Sequence, residues 1–472
     1  MTHQTRLPLV PNAPVADERN YQAALKTLLM EDLDFHDKGS SYASHNFHSF
    51  PAKFPPQLPR KFIQELTSPG DYVYDPMMGS GTTLVEALLL GRYAVGSDID
   101  PLAVRIARVK TQPLEVITAS EVGCEVAQRA RNLVNQHSAT LTQELTSRWD
   151  KQTRDFVNYW FMPQTQLELL ALLKEIVQIP DATLRAFLEL AFSAVIITKS
   201  GGVSLARDLA HTRPHRAKIV KTPEGAVLIA EPGAQNSARA QYTTKVLRSP
   251  ITEFSKRLQL NLDGLSAATW AGGESLIVFG NAERAPLAPN SIDLIVTSPP
   301  YASNAIDYMR AHKFSLVWLG HNIDSLSETR SRYVGGEAIS AMHFETLPPK
   351  TQALVNQILH LDRKKGQVLH RYYSEMTRVL GEMCRVLKPG KAAIVVVGSS
   401  VMRGVDTETQ YCLAEIGAQV GFAASYIGVR QLDRDRRMMP AGNRIDHTSQ
   451  IQQRMHEEYV IGFYKPEEVG KV

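Results

Sequence analysis

The chain has 472 residues, 43% of them hydrophobic and 21% charged, with a net charge of +4. That composition is ordinary for a folded globular protein and argues against a disordered or collagen-like chain. No apolar run reaches membrane-spanning length and MTHQTRLPLVPNAP carries no signal-peptide pattern, so a cytoplasmic location is expected. Cys124, Cys384 and Cys412 are scattered, with no CxxC pair and no His partner, so neither a zinc site nor a disulfide framework is expected and no metal ligand is assigned.

The first element in chain order is a short helix, YQAALKTLLMEDL, inside a leader spanning 1–44. HNFHSFPAKFPPQLPRKFIQEL follows as an extended segment pinned by prolines that enters a helix near Pro59. From Asp71 the pattern alternates: strand DYVYDPM, helix TTLVEALLLG, strand YAVGSDI, helix LAVRIARVK. Such βαβα alternation predicts a parallel sheet covered on both faces. From 115 to 272 apolar residues recur at helical spacing, as in QLELLALLKEIV and LRAFLELAFSAVII, which predicts a mainly helical insertion. Alternation resumes with SLIVFGN, SIDLIVTSPP and, after a long helical stretch, KAAIVVVGS. A helix near Glu408 to Val420 and the strands AASYIGVRQ and EEYVIGFYK close the chain. The expected fold is α/β: a Rossmann-like seven-stranded sheet ending in an antiparallel hairpin, with the insertion after its second strand. The sheet domain then comprises 45–114 and 273–472.

Two loops carry chemistry. DPMMGSGTTLVEA is a glycine-rich turn from the first strand into a helix, where Gly79 and Gly81 let the backbone turn tightly and approach a ligand. The next strand ends in Asp98, placed to accept the ribose hydroxyls of a nucleoside cofactor, whereas Asp100 before Pro101 suits a helix N-cap. GSGTT lacks the lysine of a P-loop, so the cofactor need not be a triphosphate. The second loop is TSPPY. Two prolines cannot continue a strand and lock the carbonyls of Ser298 and Pro299 in fixed directions. Tyr301 adds a flat face. Ser298, Pro299, Pro300 and Tyr301 then form a seat for a planar ring bearing an amino group. Hydrogen bonds from that group to Ser298 Oγ and a carbonyl favour a tetrahedral nitrogen with its lone pair free for in-line attack on an activated methyl.

In combination, TSPPY, DPMMGSGTT, SDIDP and RVLKPG resemble the amino-directed DNA methyltransferases that use S-adenosylmethionine, over roughly residues 46–111 and 276–465. The resemblance implies that the glycine loop (Asp75, Pro76, Gly79, Ser80, Gly81, Thr82) holds the methionine part of the cofactor and Asp98 its ribose. Lys53, Phe54 and Pro55 match the segment that closes over the methionine end. Asn281 stands where the family often has Gly-Asp, and its carbonyl oxygen could still bond the adenine amino group. The serine of TSPPY is similar to the N4-cytosine subgroup. The resemblance therefore implies transfer to the N4 of cytosine in duplex DNA, with N6-adenine or RNA guanine-N2 methylation as the alternatives. Flipping of the target base is implied, because a base in a duplex cannot reach such a seat. A cognate restriction endonuclease is a further expected partner.

For the DNA backbone the candidates are the basic segments Arg207 to Lys221, with Arg207, Arg213, Arg216 and Lys218, and Arg430 to Arg444, with Arg436. Past the motif, IDYMRAHKFSLVWLG places Tyr308, Arg310, His312 and Lys313 near the site, with Arg310 and His312 as possible substrate contacts.

Overall fold

The computed structural model describes residues 18–207, 209, 214–234, 240–268, 270–302, 307–336, 343–432 and 457–467. Seven strands form one sheet: β1 Tyr72–Asp75, β2 Tyr93–Asp98, β3 Ser275–Phe279, β4 Ile292–Thr297, β5 Leu387–Val397, β6 Ala424–Gln431 and β7 Glu457–Tyr464. Their spatial order is β6-β7-β5-β4-β1-β2-β3. The five strands β3 to β5 through β1 pair in parallel, and β7 runs antiparallel between β5 and β6. The expected strands and the terminal hairpin are all present. Because β1 sits between β2 and β4, the chain reverses its winding there, and a crevice opens at the carboxyl ends of these strands.

Each central strand is buried on both faces, so its run is continuously apolar and neighbouring residues serve opposite layers. Val73, Leu294, Ile394 and Val460 pack with helices α1 Glu18–Met30, α2 Gln57–Leu66 and α3 Thr82–Leu89. Their neighbours Tyr74, Ile295, Val395 and Ile461 pack with the helices Arg363–Val386 and Thr409–Val420. Helix α1 was expected within a leader. It lies on the sheet, with Leu25, Leu28 and Leu29 buried and Leu25 and Leu29 crossing Gly462 at close range.

The insertion is mainly helical: α4 Pro101–Lys110 leads into α5 Val116–Ser147, α6 Lys151–Trp160, α7 Pro163–Ile176 and α8 Ala182–Ile196. A three-stranded sheet of Ile219–Lys221, Val227–Ala230 and Thr244–Val246 follows, so part of the basic segment is strand rather than loop. The helix Pro250–Ser266 completes it. Its hydrophobic core is shared with the segment after TSPPY. Phe314 packs against Phe156, Trp160 and Phe161, Trp318 against Trp149 and Phe161, and Trp149 Nε1 donates to the Val317 carbonyl at 3.0 Å. The insertion therefore braces one wall of the crevice. No helix among the described residues is long and apolar enough to cross a membrane.

Candidate active site

A cavity of about 420 Å³ lies at the carboxyl ends of β1, β2 and β4. That is the size of a small-ligand or cofactor pocket. Both loops singled out in the sequence open into it: Asp75, Pro76, Gly79, Ser80 and Thr82 from the first, Ser298 and Pro300 from the second. Lys53, Phe54, Asp98, Asn281 and Arg310 also line it. Pro55, Gly81, Pro299 and Tyr301 do not.

The glycine loop is shaped by two left-handed residues. Gly79 has φ +48° and a Cβ there would stand 3.0 Å from the Phe50 ring; Gly81 has φ +74° and its Cβ would meet Ala107 Cβ at 3.1 Å. Side chains at either position would strain the backbone and push Phe50 or α4 away. Phe50 in turn stacks on Tyr308, with ring centroids 5.2 Å apart, so the segment before α2 closes over the loop. From beneath, the buried Lys110 donates to the Ser80 carbonyl at 2.6 Å.

Asp98 ends β2 with both carboxylate oxygens already oriented. Oδ2 accepts from Gly79 N at 2.9 Å and Oδ1 from Asp100 N at 2.8 Å. Each oxygen keeps lone-pair capacity toward the cavity. Burial, and then the Asp100 charge, push its pKa up to about 7. Asp75 is tied to the second loop: its Oδ1 accepts from Thr297 Oγ1 at 2.6 Å and from Met77 N at 3.1 Å. Burial pushes its pKa up to about 6. Thr83 Oγ1 donates to the Val296 carbonyl at 3.2 Å. The two loops are thus stitched together through the ends of β1 and β4.

Asp100 caps α4 by accepting from Leu102 N and Ala103 N, as expected, and does more. Its Oδ2 also receives His312 Nδ1 and the Tyr333 hydroxyl, each at 2.6 Å. Burial alone would raise the Asp100 pKa, but His312 and the Tyr333 hydroxyl hold it below the usual carboxylate range. His312 is fully buried, so it reaches no substrate. It is a partner of Asp100, a correction to its expected role. Tyr333, absent from the sequence-based site, carries the loop that walls the cavity. That loop is secured from behind, where Arg371 Nη2 donates to the Ser331 and Tyr333 carbonyls and Glu375 accepts from Gly335 N. Asp100→Ala removes a cap and the buried acceptor of two further donors, His312 Nδ1 and the Tyr333 hydroxyl. It is expected to cost about 3 kcal/mol or more in a urea titration. A loss under about 1 kcal/mol would mean the network holds nothing together.

The other expectations divide. The Tyr301 hydroxyl donates to Glu458 Oε1 at 2.9 Å, and Glu458 pairs with Arg430, so the terminal hairpin anchors Tyr301, which is not among the residues lining the cavity. Asn281 Oδ1 accepts from Glu283 N at 3.0 Å, so its acceptor is partly engaged in a local turn. Arg207, Arg216 and Lys218 lie on the insertion, away from the cavity lining. Arg216 Nε donates to the Tyr159 carbonyl with its guanidinium 5.0 Å over that ring, and Lys218 faces Glu231 at 3.9 Å. Arg213 and Arg436 lie outside the described residues. Phe50, Asp307, Tyr308 and Arg330 line the cavity and were not assigned to it from sequence; only Tyr308, next to Asp307, had been placed nearby. Among the described residues no group of three or more His, Cys, Asp or Glu could hold a metal ion.

Residues 22–109 match the DNA methylase family of the N6/N4 type. Over 427 residues the chain is 23% identical to the Type II methyltransferase M.MvaI of Kocuria varians, covering 87% of this chain and 88% of that one. It is 21% identical over 429 residues to the Type II methyltransferase M.BsoBI of Geobacillus stearothermophilus, covering 80% and 78%. A stretch of 72 residues, 15% of this chain and 14% of its relative, is 42% identical to the Type II methyltransferase M.MjaII of Methanocaldococcus jannaschii. These matches support a DNA methyltransferase family for the chain and S-adenosylmethionine as its methyl donor.

Proposed function

We propose that this protein methylates the exocyclic N4 of cytosine in duplex DNA, by direct attack of a flipped base on the methyl of S-adenosylmethionine. The observation that carries the proposal is the single cavity that holds Asp98 and the glycine loop together with Ser298 and Pro300. When bound, S-adenosylmethionine supplies a methyl activated by its sulfonium. The residues present suit such a molecule: an oriented carboxylate at Asp98 for ribose hydroxyls, and a turn free of Cβ at Gly79. Lys53 lines the same cavity, with its Nζ 3.1 Å from the His45 carbonyl, and offers an ammonium for a carboxylate tail.

On the acceptor side, Ser298 Oγ and the rigid carbonyls around Pro299 and Pro300 receive the amino hydrogens. They localise the nitrogen lone pair and orient it without reorganising at the moment of reaction. The cavity wall of Phe50, Tyr308 and Tyr333 sets aromatic surface beside these contacts, which are stronger against apolar surface than in water. Serine at 298, in place of an acid, favours cytosine over adenine. Action within a restriction-modification system, with an endonuclease reading the same site, accompanies this reading.

The test is incubation with labelled S-adenosylmethionine and duplex DNA, then mass spectrometry of the nucleosides. N4-methylcytosine is the expected product. N6-methyladenine as the only product would overturn the choice of base, and unlabelled DNA would overturn the reaction.

A further inference from the structure

The cavity is electrically two-ended. Asp75, Asp98 and Asp100 line the end formed by β1 and β2, while Arg310, Arg330, Arg332 and Lys365 line the wall formed by the segments after TSPPY. On that wall two arginines converge on one carboxylate. Asp307 Oδ2 lies 2.7 Å from Arg310 Nε and 2.5 Å from Arg330 Nη2. The two arginines come from different helices, Met309–Leu316 and Ile323–Ser331. The Asp307 side chain is only 14% exposed, whereas those of Arg310 and Arg330 are 47% and 52% exposed.

Two features make this more than a surface ion pair. First, both arginines meet the same Asp307 oxygen, Arg310 through Nε and Arg330 through Nη2, and a guanidinium carries five N–H donors, so the pairing with one carboxylate does not exhaust either fork. Second, the charges do not balance. Two guanidinium groups share one carboxylate, and the Lys313 ammonium stands close enough for Arg330, Asp307 and Arg310 all to act on its pKa, after the larger lowering by burial. A cluster with surplus positive charge, half open to solvent at the edge of a cavity, is arranged for an anion. Guanidinium forks match the paired oxygens of a phosphate.

We infer that Arg310 and Arg330, gathered by Asp307, clamp a backbone phosphate of the nucleotide whose base enters the cavity. The inference rests on the proposed DNA methylation and extends it. It assigns Arg330 a DNA contact and makes Asp307 the residue that positions both arginines. Flipping costs stacking and pairing energy. Two forks on the phosphate of the extruded nucleotide would offset that cost at the point where it arises, and would hold the sugar while the base sits against Ser298.

The probe is a short duplex carrying the site mapped by methylation sequencing, titrated against the full chain at several salt concentrations. Each lost phosphate contact reduces the slope of log affinity against log salt by about 0.9. Arg330→Gln is expected to show that reduction, with affinity for DNA down about tenfold at low salt and affinity for S-adenosylmethionine unchanged. Arg330→Lys keeps the charge and should keep the slope while losing part of the affinity. Arg310→Gln should behave as Arg330→Gln. A melting temperature is recorded for each variant. Lower melting temperatures with an unchanged salt slope would assign the arginines to structure alone and overturn the inference. Wild-type protein that neither binds nor labels the duplex would instead overturn the proposed function, so the two failures are distinguishable.

Discussion

Ser298→Ala is expected to lower turnover by about 10²- to 10³-fold while leaving S-adenosylmethionine affinity within about twofold. The size follows from removing one preorganised partner of the reacting group. The selectivity follows from placement. Ser298 leaves β4, whereas the cofactor end of the cavity is built by the ends of β1 and β2. The stitch between the two, Thr297 Oγ1 on Asp75, is one residue earlier and survives the substitution. Pro300→Ala should act in the same direction by loosening the carbonyls while keeping every polar atom. The measurements are single-turnover methyl transfer and calorimetric titration of the cofactor. Equal losses in transfer rate and cofactor affinity would show that Ser298 serves binding generally and not the reacting nitrogen.

What could be read from the sequence depended on how far apart the partners lie. The central strands announced themselves because each is buried on both faces. LIVT, AAIVVV and VIGF are continuous apolar runs whose neighbours serve opposite layers, and that property is local. The glycine loop and Asp98 were legible for the same reason: tight turn and acid sit within twenty residues on adjacent strands. Long-range polar pairing left no such trace. His312 meets Asp100 across 212 positions and Tyr333 meets it across 233. In the sequence Asp100 reads as a cap and nothing more, and His312 as a candidate substrate contact. Tyr301 reads as a stacking ring because its partner Glu458 lies 157 residues on, in a strand otherwise recognised only as apolar. Arg330 sits in ETRSR with no local mark; it becomes a site residue only when the helix Ile323–Ser331 is laid beside Asp307. The insertion shows the same limit. Its helices were legible from periodicity, but its shared core with Phe314 and Trp318 is a matter of tertiary contact.

Asp98→Asn is expected to weaken S-adenosylmethionine binding about 100-fold, because one acceptor oxygen becomes a donor and the bond to the other loses its charge assistance, together roughly 3 kcal/mol. It should also abolish a pH dependence. In the ligand-free protein the Asp98 pKa stands near 7, raised first by burial and then by Asp100. Hydroxyls that donate to the carboxylate favour its ionised form, so binding below pH 7 must release a proton. Affinity is therefore expected to fall about tenfold for each pH unit below 7 and to be flat above it. The stability of the ligand-free protein should run the opposite way. An acid whose folded pKa is raised contributes stability that is complete below its unfolded value and lost as pH climbs through the folded one. Asp98 and Asp75, with folded values near 7 and 6, thus make the empty protein less stable between pH 4 and 7. Bound cofactor should reverse the Asp98 share of that loss. Calorimetry at pH 6 in two buffers of different ionisation enthalpy reads the proton directly, and a binding heat independent of buffer would show that Asp98 meets its ligand already ionised.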